Sequence, residues 1–100
     1  MEFIRSLPDK PQAKVLKDVD LLEQYGPALA GGHIKSIEGY RGLFELRSTF
    51  GSDAFRLFFF RVAEQHLVVV HGIRKKRERI AARDLETAEA RRADYLRRNA

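Results

Sequence analysis

Apolar and polar positions in the first quarter of the chain follow the period of an α-helix. The apolar residues that recur three or four positions apart are Val15, Leu16, Val19, Leu22 and Tyr25. This spacing places them on one face and predicts a helix over residues 12–25. Asp9 is the predicted N-cap, and Gly26 followed by Pro27 predicts the end of the helix. The shorter segment at residues 2–7 fits one helical turn.

The middle of the chain carries strand-like patterns. Residues 43–50 alternate between apolar and polar side chains, and residues 54–62 are rich in aromatic ones. Residues 67–73 are almost continuously apolar, as expected for a central strand covered on both faces. Residues 34–37 fit either a short strand or an extended connection. The loops and turns predicted between these segments lie at residues 30–33, 39–42, 51–53 and 63–66.

The last quarter predicts a second long helix, over residues 82–98. Its thin apolar stripe consists of Leu85, Ala88, Tyr95 and Leu96. The order of elements predicts a single α+β domain over residues 1–100. It has a small antiparallel β-sheet, a three-stranded meander with room for a short fourth strand. An N-terminal helix pair covers one face of this sheet, and a C-terminal helix follows.

Charged residues are distributed unevenly along these predicted elements. The formal net charge is +5, and residues 74–98 carry ten basic and five acidic residues, so the rest of the chain is neutral. Residues 74–79 alone contain five basic residues and one acid. Such a tract suits an anionic partner, either nucleic acid or an acidic protein, but it also fits a solvated surface with mixed charges.

Composition also excludes several classes of protein. The chain has no cysteine, which excludes disulfide scaffolds, zinc–thiolate sites and thiol nucleophiles. No stretch approaches the roughly 18 apolar residues of a membrane span. The N-terminal residues lack the apolar run and cleavage site of a secretory signal. We therefore expect a cytoplasmic protein that does not contact a membrane.

The residue that is most informative about function is an arginine in the middle of the aromatic strand. Side chains alternate along a strand, so Arg56 shares a face with Phe58. Pairing through the predicted 51–53 turn would bring Arg47 beside Arg56. Two adjacent guanidinium groups are suited to gripping a phosphate, with Phe58 stacking on a base. The alternative is an ion pair of either arginine with Glu45 on a solvated sheet face.

Further candidates lie where the third strand ends. Lys75 and Lys76 add positive charge at the same edge, and Arg74, Arg77 and Arg79 extend it. A cationic site there would bind single-stranded RNA and stabilise the charge that develops on phosphorus when a 2′-hydroxyl attacks.

His71 precedes this tract within the third strand. It fits a general base, but a histidine in an apolar strand is more often a hydrogen-bonded structural residue. The three histidines do not have the spacing of a metal site.

The ordered set of these segments resembles the phage-derived HigB-like toxins of the RelE/ParE superfamily. The strand segments that carry the resemblance are LFELR at 43–47, FRLFFF at 55–60 and HGIRKK at 71–76. The segments FIRSLP at 3–8, LLEQYGP at 21–27 and HIK at 33–35 also match, so the resemblance spans nearly the whole chain. Where the family pattern has a proline before the last helix, this chain has Ala81.

The resemblance implies a toxin of a type II toxin–antitoxin pair with a RelE-like fold. Such toxins cut mRNA in the ribosomal A site without metal or cofactor, using the RNA 2′-hydroxyl as nucleophile. The family's basic active-site positions correspond to Arg47, Arg56 and Lys76, with Lys75 a further candidate. The implied partners are mRNA, the ribosome and a cognate antitoxin, typically a small helix-turn-helix protein that also brings the complex to operator DNA. A non-catalytic RNA- or DNA-binding regulatory module of phage origin is the alternative.

Overall fold

The computed structural model describes residues 1–26, 33–63, 66–75 and 79–100. They form three helices and one four-stranded antiparallel sheet. The helices are α1 (Glu2–Arg5), α2 (Asp9–Tyr25) and α3 (Ala82–Arg98). The strands are β1 (Ile34–Ser36), β2 (Phe44–Phe50), β3 (Asp53–Ala63) and β4 (His66–Arg74). The predicted α+β class is confirmed, and Ile34–Ser36, within the predicted 34–37 segment, forms the short fourth strand. Pro27, the 30–33 loop and the 63–66 turn lie wholly or partly outside the described residues.

The two ends of α2 test the predicted start and stop signals of this helix. The helix α2 ends at Gly26, which has a φ of +81° and donates its N–H to the carbonyl of Leu22 over 2.9 Å. Glycine reaches this left-handed conformation without strain, so the predicted end is confirmed. The predicted N-cap is wrong, because Pro8 occupies that position and Asp9 is the first helical residue. From there its carboxylate still lies near the positive end of the helix dipole.

The strands follow one another in the sheet in the order β1-β2-β3-β4. A tight turn at Gly51 joins β2 to β3, so that Phe50 lies opposite Asp53. The strand predicted as central, β4, is an edge strand, and β3 lies inside the sheet instead. Side chains from the helices reach the outer edge of β4. Glu23 accepts the N–H of Leu67, and Arg91 donates to the carbonyl of Val70.

One face of the sheet packs against α1 and α2. The buried residues of this first core are Ile4, Leu7, Val15, Leu22, Leu46, Phe55, Leu57, Phe59 and Leu67. Phe3 lies so close to Gly72 of β4 that a Cβ on the glycine would come within 2.4 Å of its ring. The glycine therefore lets α1 approach the sheet directly.

The opposite face is covered as well, which corrects the expectation that only one face would be. The buried residues of this second core are Ile37, Leu43, Phe58, Phe60, Val70 and Ala88. Leu85 and Tyr95 of α3 pack against it as predicted, whereas Leu96, on the last turn of α3, remains half exposed. Among the described residues, no helix is long and apolar enough to cross a membrane.

Candidate nucleic-acid interface

Arg47 and Arg56 are directly opposite each other on β2 and β3. The predicted juxtaposition of their backbones is therefore confirmed, and it follows from the strand alternation and the Gly51 turn. Their environments differ, however. Arg56 is only 3% exposed, whereas Arg47 is partly exposed.

A buried carboxylate accompanies Arg56. Its Nε lies 3.9 Å from Oε2 of Glu45, and the two side chains are 3% and 5% exposed. The ion pair that the sequence allowed is present, but it is buried on the sheet face that α3 packs against rather than on a solvated face. Burial of a charge is costly without a partner. Glu45 therefore compensates the charge of Arg56 inside the fold.

An open groove of about 550 Å³, here called the basic groove, lies where β3 and β4 meet the start of α3. Its lining includes five cationic residues: Arg56, Arg74, Lys75, Arg79 and Arg83. The side chain of Arg74 lies 3.5 Å from a carboxylate oxygen of Asp53 and packs 5.5 Å from the centre of the Phe55 ring. Asp84 adds one carboxylate to the lining. The excess of positive charge makes this groove suited to phosphate groups.

A second open groove, of about 630 Å³, lies between the β1–β2 segment and the start of α3. It combines the apolar side chains of Ile37, Ile80 and Leu85 with the charged residues Lys35 and Glu38. We call it the mixed groove. Arg56 and Arg79 line both grooves, so the two spaces adjoin at this pair.

Arg47 lines neither groove. It borders a smaller cavity of about 170 Å³ between α2 and β2, together with Lys14, Asp18 and His33. There Asp18 accepts hydrogen bonds from Lys14 and from the fully buried Ser48. The predicted pair of arginines therefore shares a register position but not a cavity.

Comparison with known protein families identifies the family of this chain. The model of the family described as phage derived protein Gp49-like (DUF891) matches residues 2–93. The chain belongs to this Gp49-like family. It is a family associated with RelE-like and toxin-like proteins. No curated protein matches the chain.

His71 of this Gp49-like chain has contacts on both ring nitrogens. Arg91 donates to Nδ1 over 3.3 Å, so Nε2 carries the proton that is donated to Asp84 over 2.9 Å. The ring also stacks on Phe58, with centroids 5.8 Å apart. These contacts join β4 to α3, as expected if His71 is a hydrogen-bonded structural residue. A role as general base would require one of them to be released.

Phe58 is fully buried in the second core. Its ring is covered there by the packing of α3 on the sheet, so neither face is open to a base in this structure. The stacking role expected for Phe58 is therefore a misassignment that followed from treating its sheet face as solvated. Lys76 and Arg77, two further predicted site residues, lie outside the described residues.

The sequence interpretation missed four charged residues of the Gp49-like grooves. Lys35 and Glu38 come from the β1–β2 segment, and Arg83 and Asp84 come from the first turn of α3. Nothing in their local pattern distinguishes them from ordinary surface charges. They join the site only because the segments at 35–38 and 79–85 pack around Arg56.

Proposed function

We propose that this Gp49-like protein is the toxin of a type II toxin–antitoxin pair and acts as a metal-independent mRNA endoribonuclease on the ribosome. The observation that supports this most directly is the convergence of Arg56, Arg74, Lys75, Arg79 and Arg83 on one groove. Membership of a family associated with RelE-like and toxin-like proteins adds support. The HigB-like assignment rests on the sequence resemblance.

The proposed reaction needs little covalent chemistry from the protein. The 2′-oxygen of the RNA attacks the adjacent phosphorus, and the bond from phosphorus to the 5′-oxygen of the next nucleotide breaks. The products are a 2′,3′-cyclic phosphate and a 5′-hydroxyl end. One proton leaves the 2′-hydroxyl and one reaches the departing 5′-oxygen. Negative charge builds on the phosphoryl oxygens during attack, and fixed cations stabilise it.

The cations take different roles in this proposal. Arg56, buried beside Glu45 and lining both grooves, supplies positive charge beneath the scissile phosphate. Arg79, exposed at the junction, contacts the same phosphate from above, and Arg74 holds a flanking one. Lys75 and Lys76 exchange the protons as general acid and base. His71 positions α3, and Arg47 contacts RNA outside the grooves.

The decisive experiment is cleavage of an mRNA during reconstituted translation, with and without ribosomes, with the new 5′ ends mapped by primer extension. We expect cleavage by the parent only with ribosomes. Lys75→Ala and Arg79→Ala should each slow it by about a hundredfold, the typical effect of removing one group that stabilises transition-state charge. The matched control is Arg97→Ala, which removes the same charge from the exposed end of α3.

Because Arg56 is buried, its variant must separate folding from activity. Arg56→Lys keeps the charge but loses the planar guanidinium group, which can donate two parallel hydrogen bonds. We therefore expect a folded protein with strongly reduced cleavage. Folding is checked by circular dichroism. Growth arrest by an Arg56→Ala variant as strong as that of the parent would show that the role of Arg56 is wrong. RNA binding without any cleavage would instead indicate the non-catalytic module.

The proposed partner in the cell is a small helix-turn-helix antitoxin with an acidic segment. Such a segment would neutralise the toxin by covering the basic groove, since opposite charges steer the encounter. The complex would bind operator DNA through the antitoxin. A neighbouring gene for a protein of this kind, and rescue of growth on its co-expression, would support the pairing. Persistent arrest in its presence would argue against it.

A further inference from the structure

The mixed groove has a chemical character that phosphate binding does not explain. It adjoins the basic groove at Arg56 and Arg79, yet its wall includes the apolar side chains of Ile37, Ile80 and Leu85. A phosphate gains nothing from such a wall. A planar ring with polar atoms only along its edge would be stabilised by contact with these apolar side chains.

The two ends of the site differ in charge. The basic groove is lined by five cations and one carboxylate. The mixed groove is closer to neutral, since the cations Lys35, Arg56 and Arg79 share its lining with the carboxylates of Glu38 and Glu45. A nucleotide has the same polarity, with a charged phosphate at one end and an uncharged base at the other. Because Arg79 lines both grooves, a nucleotide with its phosphate beside Arg79 would have its base within reach of the mixed groove.

The polar groups of the mixed groove limit which base fits best. Glu38 is an exposed carboxylate and only accepts hydrogen bonds, whereas Lys35 only donates them. Guanine presents both kinds of partner on one edge, with O6 as acceptor and adjacent N1–H and N2–H groups as donors. Uracil offers a single N–H between two carbonyl groups.

We propose that the mixed groove is a nucleobase subsite that favours guanine, with Glu38 accepting hydrogen bonds from the base and Ile37, Ile80 and Leu85 contacting its ring. The subsite deepens the proposed ribonuclease function and rests on it for its biological role. Its occupancy can nevertheless be measured without any cleavage.

The isoleucines of the chain provide built-in reporters. Ile37 and Ile80 line the mixed groove and Ile73 lines the basic groove, whereas Ile4 and Ile34 belong to the first core on the other sheet face. We suggest labelling the isoleucine methyl groups of the full chain and titrating it in NMR with inorganic phosphate, guanosine 3′-monophosphate and uridine 3′-monophosphate. Aromatic rings shift nearby methyl resonances strongly.

Phosphate alone should shift Ile73 and leave Ile37 and Ile80 in place. The guanosine nucleotide should shift all three and bind more tightly than the uridine nucleotide, with Ile4 and Ile34 unchanged. Glu38→Gln should weaken binding of the guanosine nucleotide by about tenfold, the loss expected for one charge-assisted hydrogen bond. It should leave phosphate binding unaltered. Glu86→Gln, which removes an exposed carboxylate from α3 outside both grooves, is the matched control.

Unmoved Ile37 and Ile80 resonances at saturating guanosine nucleotide would overturn the subsite, and so would equal affinities for the two nucleotides. Neither result depends on catalysis. If the protein cleaves mRNA but the titration gives either of these results, the proposed function stands and the subsite is wrong. If the titration gives the expected shifts but no mRNA is cleaved, the subsite stands and the endoribonuclease function is wrong.

Discussion

Glu45 and Arg56 form an ion pair inside the domain, with Nε and Oε2 3.9 Å apart and both side chains at most 5% exposed. Arg56 also lines both grooves, so the pair connects the packing of α3 with the charge of the candidate site. Burial of both side chains restricts the motion of the guanidinium group. A site that stabilises developing charge benefits from such preorganisation.

Removing the carboxylate of this pair should destabilise the fold. Glu45→Ala breaks this buried ion pair, and breaking a buried pair typically lowers the free energy of unfolding by about 3–5 kcal/mol. Urea denaturation measures this change. Asp94→Asn, which removes the carboxylate of an exposed pairing with Arg97 and Arg98, should cost less than about 1 kcal/mol. Equal losses in the two variants would contradict the importance of burial at Glu45.

Gly72 should tolerate no side chain while Phe3 is present. A Cβ at this position would come within 2.4 Å of the Phe3 ring, so Gly72→Ala must displace α1 or strain the ring. We expect a loss of about 1–3 kcal/mol in the free energy of unfolding, typical of overpacking. A double-mutant cycle with Phe3→Ala checks the cause. The glycine substitution should cost less in that background, and an undiminished cost would place the clash elsewhere.

The contacts of His71 with Asp84 and Arg91 should hold the start of α3 on the sheet. Asp84→Asn weakens the hydrogen bond from the imidazole, and about 1–2 kcal/mol of local stability should be lost. Hydrogen exchange of the amides in the first turns of α3 should accelerate more than exchange in α2. Asp94→Asn, near the other end of α3, provides the control. Unchanged exchange near residue 84 would disprove the linking role.

Loss of one groove cation should alter the salt dependence of RNA binding. If Arg79 contacts a phosphate, Arg79→Ala should make the slope of log K against log salt less negative by about 0.7, the value per contact on a single strand. Fluorescence anisotropy with a 2′-O-methyl oligonucleotide avoids cleavage during the measurement. Arg97→Ala should leave the slope unchanged. An equal effect of both substitutions would indicate diffuse attraction instead of a groove contact.

The register of Arg47 and Arg56 was predictable because strand alternation and one glycine turn determine it. The burial of Arg56 was not, since it depends on which sheet face α3 covers. Covering of that face also explains why Phe58 lies in the core. A local pattern indicates which side chains share a face, but the packing of distant elements decides whether that face meets water.

The position of β4 illustrates a related limit. Its continuous apolar run predicted a central strand, yet β4 is at the edge with α1 packed on one face and α3 on the other. Apolar content therefore reports how well the two faces of a strand are covered and carries no information about its lateral neighbours. Likewise, Lys35 and Glu38 could not be assigned to the candidate site from the sequence, because the grooves exist only after separate segments have packed together.

The order of the strands has a consequence for how the protein folds. Each strand pairs with the one next to it in the chain, so the sheet assembles without bringing together the ends of a long loop. Chains dominated by such short-range pairings cross a smaller entropic barrier and fold faster than sheets with crossover connections. We expect the nascent chain to complete its sheet as soon as β4 has been synthesised. Docking of α3, which completes both grooves, is then expected to be the last step in forming the candidate site.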